Sequence, residues 1–206
     1  MIATEAVEFV HRQPDVEVAF LCCNVDRVDT RMFLPTPAEI DLCHDKMAFH
    51  AALLAAGVPV PEAHHLLDSG QLNAVVGALL EQNRRVWVRA IRGAGSRASL
   101  PVTTAAQAEP WIDYWHAHQG LDHTAFMASK FLPGREYAWQ SLWFEGELVT
   151  SQARERIEYV FGNLTPSGQT SSPSVARTVN RADVNAAGEQ AVRAVSTKPH
   201  GVHCVE

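Results

Sequence analysis

Arg89, Arg92 and Arg97 crowd around Gly93 and Gly95 in the stretch Arg85 to Val102, RVWVRAIRGAGSRASLPV. These residue types in this order suit an anion. Glycine admits positive φ and a close backbone approach, so several amide N–H groups can converge on one hollow. Guanidinium groups add planar donors matched to phosphate oxygens. The stretch is expected to bind the phosphates of a nucleotide. The competing reading is a surface hairpin with solvated arginines.

Two well-known phosphate loops do not fit. A Walker-type loop needs a Lys-Ser/Thr pair after its second glycine, and none is present. A dinucleotide fingerprint matches on paper at Gly93, Gly95 and Ala98, but its pyrophosphate sits on the N-terminus of a helix that starts within the glycines. Here Ser99-Leu100-Pro101-Val102 follows, and Pro101 and Val102 read as extended chain. The loop is therefore expected to turn between two strands.

The elements that must position it follow from periodicity. Val86 to Ala90 has the β-branched and aromatic content of a strand. Thr4 to Arg12 reads as a short amphipathic helix. Val16 to Cys23, nearly all apolar, reads as a strand buried on both faces. Asn24 to Pro35 is a polar loop. Thr36 as N-cap, Pro37 at the first helical position and Glu39 in the first turn open a helix, whose core face carries Ile40, Cys43, Met47, Ala51 and Leu54. Gly57, Pro59 and Pro61 stop it. Asp45 and Lys46 on this helix have the look of an ordinary solvated pair. A strand is expected over His64 to Leu67 and helices over Ser69 to Asn83 and Thr104 to His118. Strands are expected over Thr124 to Phe131, Arg135 to Phe144 and Glu147 to Tyr159, with Glu145-Gly146 as a hairpin turn. Gly162 to Ser174 is a polar, Gly/Ser/Thr/Pro-rich loop. Ala182 to Val195 reads as a helix and Val202 to Glu206 as the start of a strand. Hairpin-paired strands with segregated helices indicate an α+β fold, in two lobes, from position 61 to about 125 and from 130 onward.

Composition narrows the class. The 206 residues are 47% hydrophobic and 19% charged, with a formal net charge of −6. That describes a globular chain able to bury a sizeable core and argues against a nucleic-acid surface. Cys22, Cys23, Cys43 and Cys204 form no CxxC pair and are expected as reduced thiols in a cytoplasm. There is no secretion signal and no run of membrane-spanning length, so Asn163-Leu164-Thr165 is taken as a chance match to a glycosylation acceptor. Ten histidines raise zinc as an alternative through His64-His65, His116/His118 and His200/His203, but no HExxH or finger spacing is present.

Taken in order, Asp45-Lys46 before Gly-Val-Pro-Val-Pro, then VWVRAIRGAGSRAS, then FLPGREYAWQSLWFEGELV, then GVHCVE, the motifs from about 36 to 206 resemble the ATP-grasp superfamily, most closely its carbamoyl-phosphate-synthase-like domains. The resemblance implies two α+β lobes with antiparallel sheets holding ATP between them. It implies residues 1–35 as the remnant of a preceding α/β domain or linker. Residues 36–129 would be helices plus the N-terminal lobe with the phosphate loop, and 130–206 an incomplete C-terminal lobe. The implied reaction joins a carboxylate to an amine or similar nucleophile through an acyl phosphate, with ATP and Mg²⁺ as cofactors and small molecules as substrates. By the same resemblance Lys46 and Arg89 hold ATP phosphates, and Gly93 to Ser99, with Gly93, Gly95 and Ser96, form the closing loop. Phe131 and Leu132 stand beside the adenine, Glu136 bonds the ribose hydroxyls, Arg154 serves the acceptor or a phosphate, and Glu206 is a first magnesium carboxylate.

Each residue also has a plainer reading: Glu136 as an exposed strand carboxylate, Phe131 as core, Arg154 and Arg156 as a charged strand edge beside Glu155 and Glu158. The sequence departs from the family pattern at Lys130, where many members carry glutamate. It departs again at Arg89, where lysine is common and arginine fits the carbamoyl-phosphate-synthase-like branch. It lacks a second strand bearing further magnesium ligands. The expectation is a fragment or a product without the magnesium half-site, and so either a ligase-type domain or a nucleotide-binding module without catalysis.

Overall fold

A computed structural model describes residues 7–11 and 15–206. The expected N-terminal helix, Thr4 to Arg12, lies partly outside these residues. Within them, Phe9–Val10 forms a strand (β1) that pairs in parallel with Arg31–Met32 (β2). The expected buried strand at Val16 to Cys23 is instead a helix, α1 (Asp15–Cys22). A short apolar run cannot by itself separate the two states, and Asp15 and Glu17 in the first turn favour the helix N-terminus. Nor is the run buried on both faces: Val16 and Phe20 are exposed.

The helix expected after Thr36 is two helices, α2 (Pro37–His44) and α3 (Lys46–Ala55). Thr36 and Glu39 close a reciprocal capping box at the start of α2. The break is Asp45, whose backbone is extended (φ −102°, ψ 101°) and whose Oδ1 accepts from the amides of Met47 and Ala48. An aspartate that caps the next helix stops the one before it. The break also rotates the second half of the expected apolar face, so that Leu53 is buried and Leu54 exposed.

Two antiparallel four-stranded sheets organise the chain. The first comprises β3 (Ala63–His65), β4 (Val86–Ala90), β5 (Ser99–Val102) and β6 (Phe126–Lys130), in the order β3-β6-β4-β5. Helices α4 (Ser69–Gln82) and α5 (Ala108–Gln119) cover one face. Leu72, Val76, Leu79 and Ile112 pack there on Val86, Val88, Phe126 and Ala128 in one buried cluster. The second sheet comprises β7 (Glu136–Phe144), β8 (Glu147–Tyr159), β9 (Pro173–Val179) and β10 (Gly201–Val205), in the order β10-β7-β8-β9. Strand β9 begins inside the stretch expected to be loop. Glu145 and Gly146 (φ 52° and 93°) turn the β7–β8 hairpin as expected. Helix α6 (Ala182–Val195) backs this sheet, with Val192 against Trp139 and Trp143. Gly188 lets α6 sit there: a Cβ would come within 2.4 Å of the Trp139 ring.

Helix α3 touches both halves. Leu53 packs with Val58 and with Ala191 of α6, and the Lys46 amide donates to Ile91 O just after β4 (3.1 Å). Among the described residues no helix is long and apolar enough to cross a membrane.

Candidate functional site

Strand alternation sorts the side chains of the first sheet. Val86, Val88 and Ala90 are buried in the core beneath α4 and α5. Trp87 and Arg89 therefore face the other way, where the register sets Arg89 beside Met127 and Ser99. Burial holds the Arg89 guanidinium below its ordinary pKa. Its Nε is shut off from solvent and has no hydrogen-bond partner. A buried donor without a partner is costly, more so on a charged group.

The glycine loop leaves β4 at this point. Gly93 and Gly95 have φ of 122° and 70°, and Ser96 and Ala98 also turn left-handed at 58° and 53°. The Ala90 amide donates to Ala98 O (2.9 Å) and closes the hairpin. The loop thus turns between two antiparallel strands, and no helix starts in it. Lys46 belongs to this corner. As the first residue of α3, it sends its Nζ to Gly93 O (2.8 Å) and Ile91 O (3.2 Å). It is not part of a solvated pair with Asp45, which caps the helix and takes Arg92 Nη2 at 3.2 Å. Burial first, then the charge of Arg89, push the Lys46 ammonium down to about 8. Lys46, Arg89 and Gly93 therefore form one electropositive group.

The second sheet carries the other group. Glu136, Ala138 and Gln140 share a face with their partners Arg156, Arg154 and Gln152, and Cys204 lies opposite Gln140. The opposite face carries Trp139 and Trp143 to α6. Tyr159 donates its hydroxyl to Glu136 Oε2. Burial raises the Glu136 carboxyl while nearby Arg156 lowers it, and burial prevails. Arg156 pairs with Glu206. Arg154 has a buried Nε without a partner, as does Arg156. Cys204 is pushed up by burial, against the pull of both arginines. Glu155 points to the α6 side, where Arg177 (2.7 Å) and Arg135 (3.7 Å) answer it. The R-E-R alternation in sequence thus separates two arginines from one glutamate. Among the described residues no hydrogen bond or ion pair joins the Lys46–Arg89 group to the Glu136–Arg154 group.

Phe131 follows β6. Its ring centre lies 5.4 Å from that of Trp87, with the Arg85 guanidinium 5.7 Å away. Leu132 beside it is exposed. Among the described residues no three His, Cys, Asp or Glu side chains converge as a metal centre. His64 bonds Glu62 and His65 bonds Thr124 O. Tyr159 and the Asp41 and Asp45 partners of Arg92 were not singled out as site residues. For Asp45 the available signal is a cap-type aspartate before a helical run; no local pattern points to Tyr159.

No protein-family model matches the sequence. The chain does have the ATP-grasp fold, an α+β arrangement shared with solved enzymes of that class. The D-alanine–D-alanine ligase from Coxiella burnetii is similar at a TM-score of 0.69 and 18% identity, over 96% of this chain and 54% of that one. D-alanyl-alanine synthetase A from Vibrio cholerae gives 0.70 and 16%, over 96% and 61%. Biotin carboxylase from Campylobacter jejuni, solved as a β-γ-ATP complex, gives 0.73 and 15%, over 98% and 46%. The chain spans about half the length of the enzymes it matches.

Proposed function

We propose that this chain binds a nucleoside triphosphate, with Lys46 and Arg89 on the phosphates, and serves an ATP-dependent ligation that activates a carboxylate for attack by an amine or similar nucleophile. The observation that carries the reading is Arg89, whose Nε is shut off from solvent and unanswered, beside a second, half-buried cation, Lys46. Two like charges drawn partly out of solvent are suited to a polyanion. Relatives in fold solved in complex with ATP or MgADP support the choice of nucleotide. Arginine rather than lysine at position 89 favours the carbamoyl-phosphate-synthase-like branch.

In this reading the terminal phosphoryl group passes to a carboxylate oxygen, giving an acyl phosphate and ADP. The amine then forms its bond to the carbonyl carbon and phosphate leaves. Such a transfer needs stabilised negative charge and little covalent help from the protein. Lys46 and Arg89 supply the charge on the phosphates, and Gly93, Gly95 and Ser96 close over them and exclude water. Phe131 and Leu132 flank the adenine, Glu136 accepts from the ribose hydroxyls, and Arg154 offers its free Nε to the acid. Magnesium bound to the phosphates would add a Lewis acid. Glu206 would give it one carboxylate, but that carboxylate is paired with Arg156. The described residues do not assemble a magnesium site.

The test is calorimetric titration of the chain with ATP, ADP and AMP in the presence of Mg²⁺. Affinity should fall in that order, and Arg89→Ala should weaken ATP binding by about tenfold or more. Equal affinity for AMP and ATP, or an unchanged Arg89→Ala variant, rejects the assignment. ADP release that depends on one added acid separates the ligase from a module that only binds.

A further inference from the structure

Arg92 is not among the phosphate ligands proposed above, yet it has the most directed contacts of the loop arginines. It stands just beyond Ile91 at the exit of β4. Its Nη1 donates to Asp41 Oδ1 at 2.8 Å, near the end of α2. Its Nη2 lies 3.2 Å from Asp45 Oδ2, at the break between α2 and α3. One guanidinium thus pins the loop to both helices at their junction. Asp45 meanwhile uses its other oxygen to cap α3, which fixes where that helix begins and so where Lys46 projects.

The same corner decides what the Lys46 ammonium sees. An ammonium has three N–H donors. Here two carbonyls of the loop, Ile91 and Gly93, take two of them at 3.2 and 2.8 Å. These carbonyls sit on either side of Arg92 in sequence. The Lys46 amide also holds the Ile91 carbonyl at 3.1 Å, so Ile91 stays in place without Arg92; the Gly93 carbonyl, on a glycine at φ 122°, would be left to its one bond with the Lys46 ammonium if Arg92 let go of Asp41 and Asp45.

We propose that Arg92 is a positioning residue for nucleotide binding: held by Asp41 and Asp45, it keeps the Gly93 carbonyl on the Lys46 ammonium in the ligand-free protein, and the phosphates must displace it. This rests on the reading of Lys46 as a phosphate ligand. Asp41 and Arg92 are largely exposed and Asp45 is not, so the restraint is weak enough to open in ordinary exchange and strong enough to bias it. It is also screened by salt.

The sequence offers a direct probe, because Lys46, Lys130 and Lys198 are its only lysines. Amine labelling with acetic anhydride, read peptide by peptide, reports Lys46 against the other two as internal references. In Arg92→Gln and in Asp41→Asn, Lys46 should label faster than in the parent by roughly two- to fivefold, the range of one or two partly exposed ion pairs. Lys130 and Lys198 should not change. Amide exchange over residues 91–98 should quicken in the same variants, and Arg92→Lys should restore part of the protection. ATP should protect Lys46 in the parent protein. If ATP protects Lys46 but both variants label and exchange like the parent, the role of Arg92 is overturned while the nucleotide reading stands. If the variants label faster but ATP protects Lys46 in none of the proteins, the phosphate reading fails and the displacement proposed here falls with it.

Discussion

Arg89 in the first sheet and Glu155 in the second are both drawn out of solvent by the strands that carry them. Glu155 is met by Arg177 and Arg135. Arg89 is met by a second cation, Lys46, and by no carboxylate among the described residues. The second sheet also pairs Arg156 with Glu206 and Glu136 with Tyr159. A protein closes its charge internally where only structure is at stake. Where it leaves a desolvated charge open, the closing group comes from outside. The contrast supports the proposal that the first sheet is the phosphate side; in the second sheet the Nε groups of Arg154 and Arg156 stay without a partner.

That contrast can be broken in order of effect. Arg89→Met should cost nucleotide binding about 2–3 kcal/mol, a loss of charge-assisted hydrogen bonds. It should also raise the melting temperature of the ligand-free protein, since an unpaired buried charge is removed. A variant that loses both stability and binding would make Arg89 a structural group. Glu155→Ala should do the reverse, lowering stability by about 1–3 kcal/mol with little change in nucleotide affinity. The figure is modest because Arg177 and Arg135 can rehydrate. Chemical denaturation with and without ATP reads both.

The smallest effect is in protons. Lys46 is depressed to about 8 from 10.5. Between those values the unfolded chain holds a proton that the native one has released, so stability of the ligand-free protein should rise with pH across that window. Phosphate beside Lys46 would favour its charged form. Titrations with ATP at pH values just above 8, in buffers of different ionisation enthalpy, should show uptake of a fraction of a proton, and Lys46→Met should abolish it. Release in place of uptake would remove Lys46 from the phosphates.

Where neighbouring residues decide structure, the sequence was readable. The hairpin around the glycine loop, the Glu145-Gly146 turn and α4 follow from turn chemistry and periodicity. The ends were not. Val16 to Cys23 carries an apolar run compatible with strand or helix, and its surroundings decided for helix. Strand β9 was hidden because Pro173–Val179 is largely exposed and lacks a regular apolar–polar alternation, and it is held by register with β8 rather than by its own pattern. The break at Asp45 was missed because helix periodicity runs through it. A capping aspartate followed by a strong helix former was the available signal. In the site, the R-E-R alternation placed Arg154 and Arg156 on one face. The partners that quiet Arg156 and Glu136, namely Glu206 and Tyr159, come from residues far along the chain, and no local pattern announces them.

Helix α3 has Lys46 at one tip and Leu53, wedged against Ala191, near the other. Its ten residues span about 15 Å. A stiff rod gripped at both ends converts a tug at one into a tilt at the other. A pull on Lys46 is expected to reach α6 and the Trp139 ring pressed on Gly188, and a change in the fluorescence of that indole on ATP addition is the measurement that checks it.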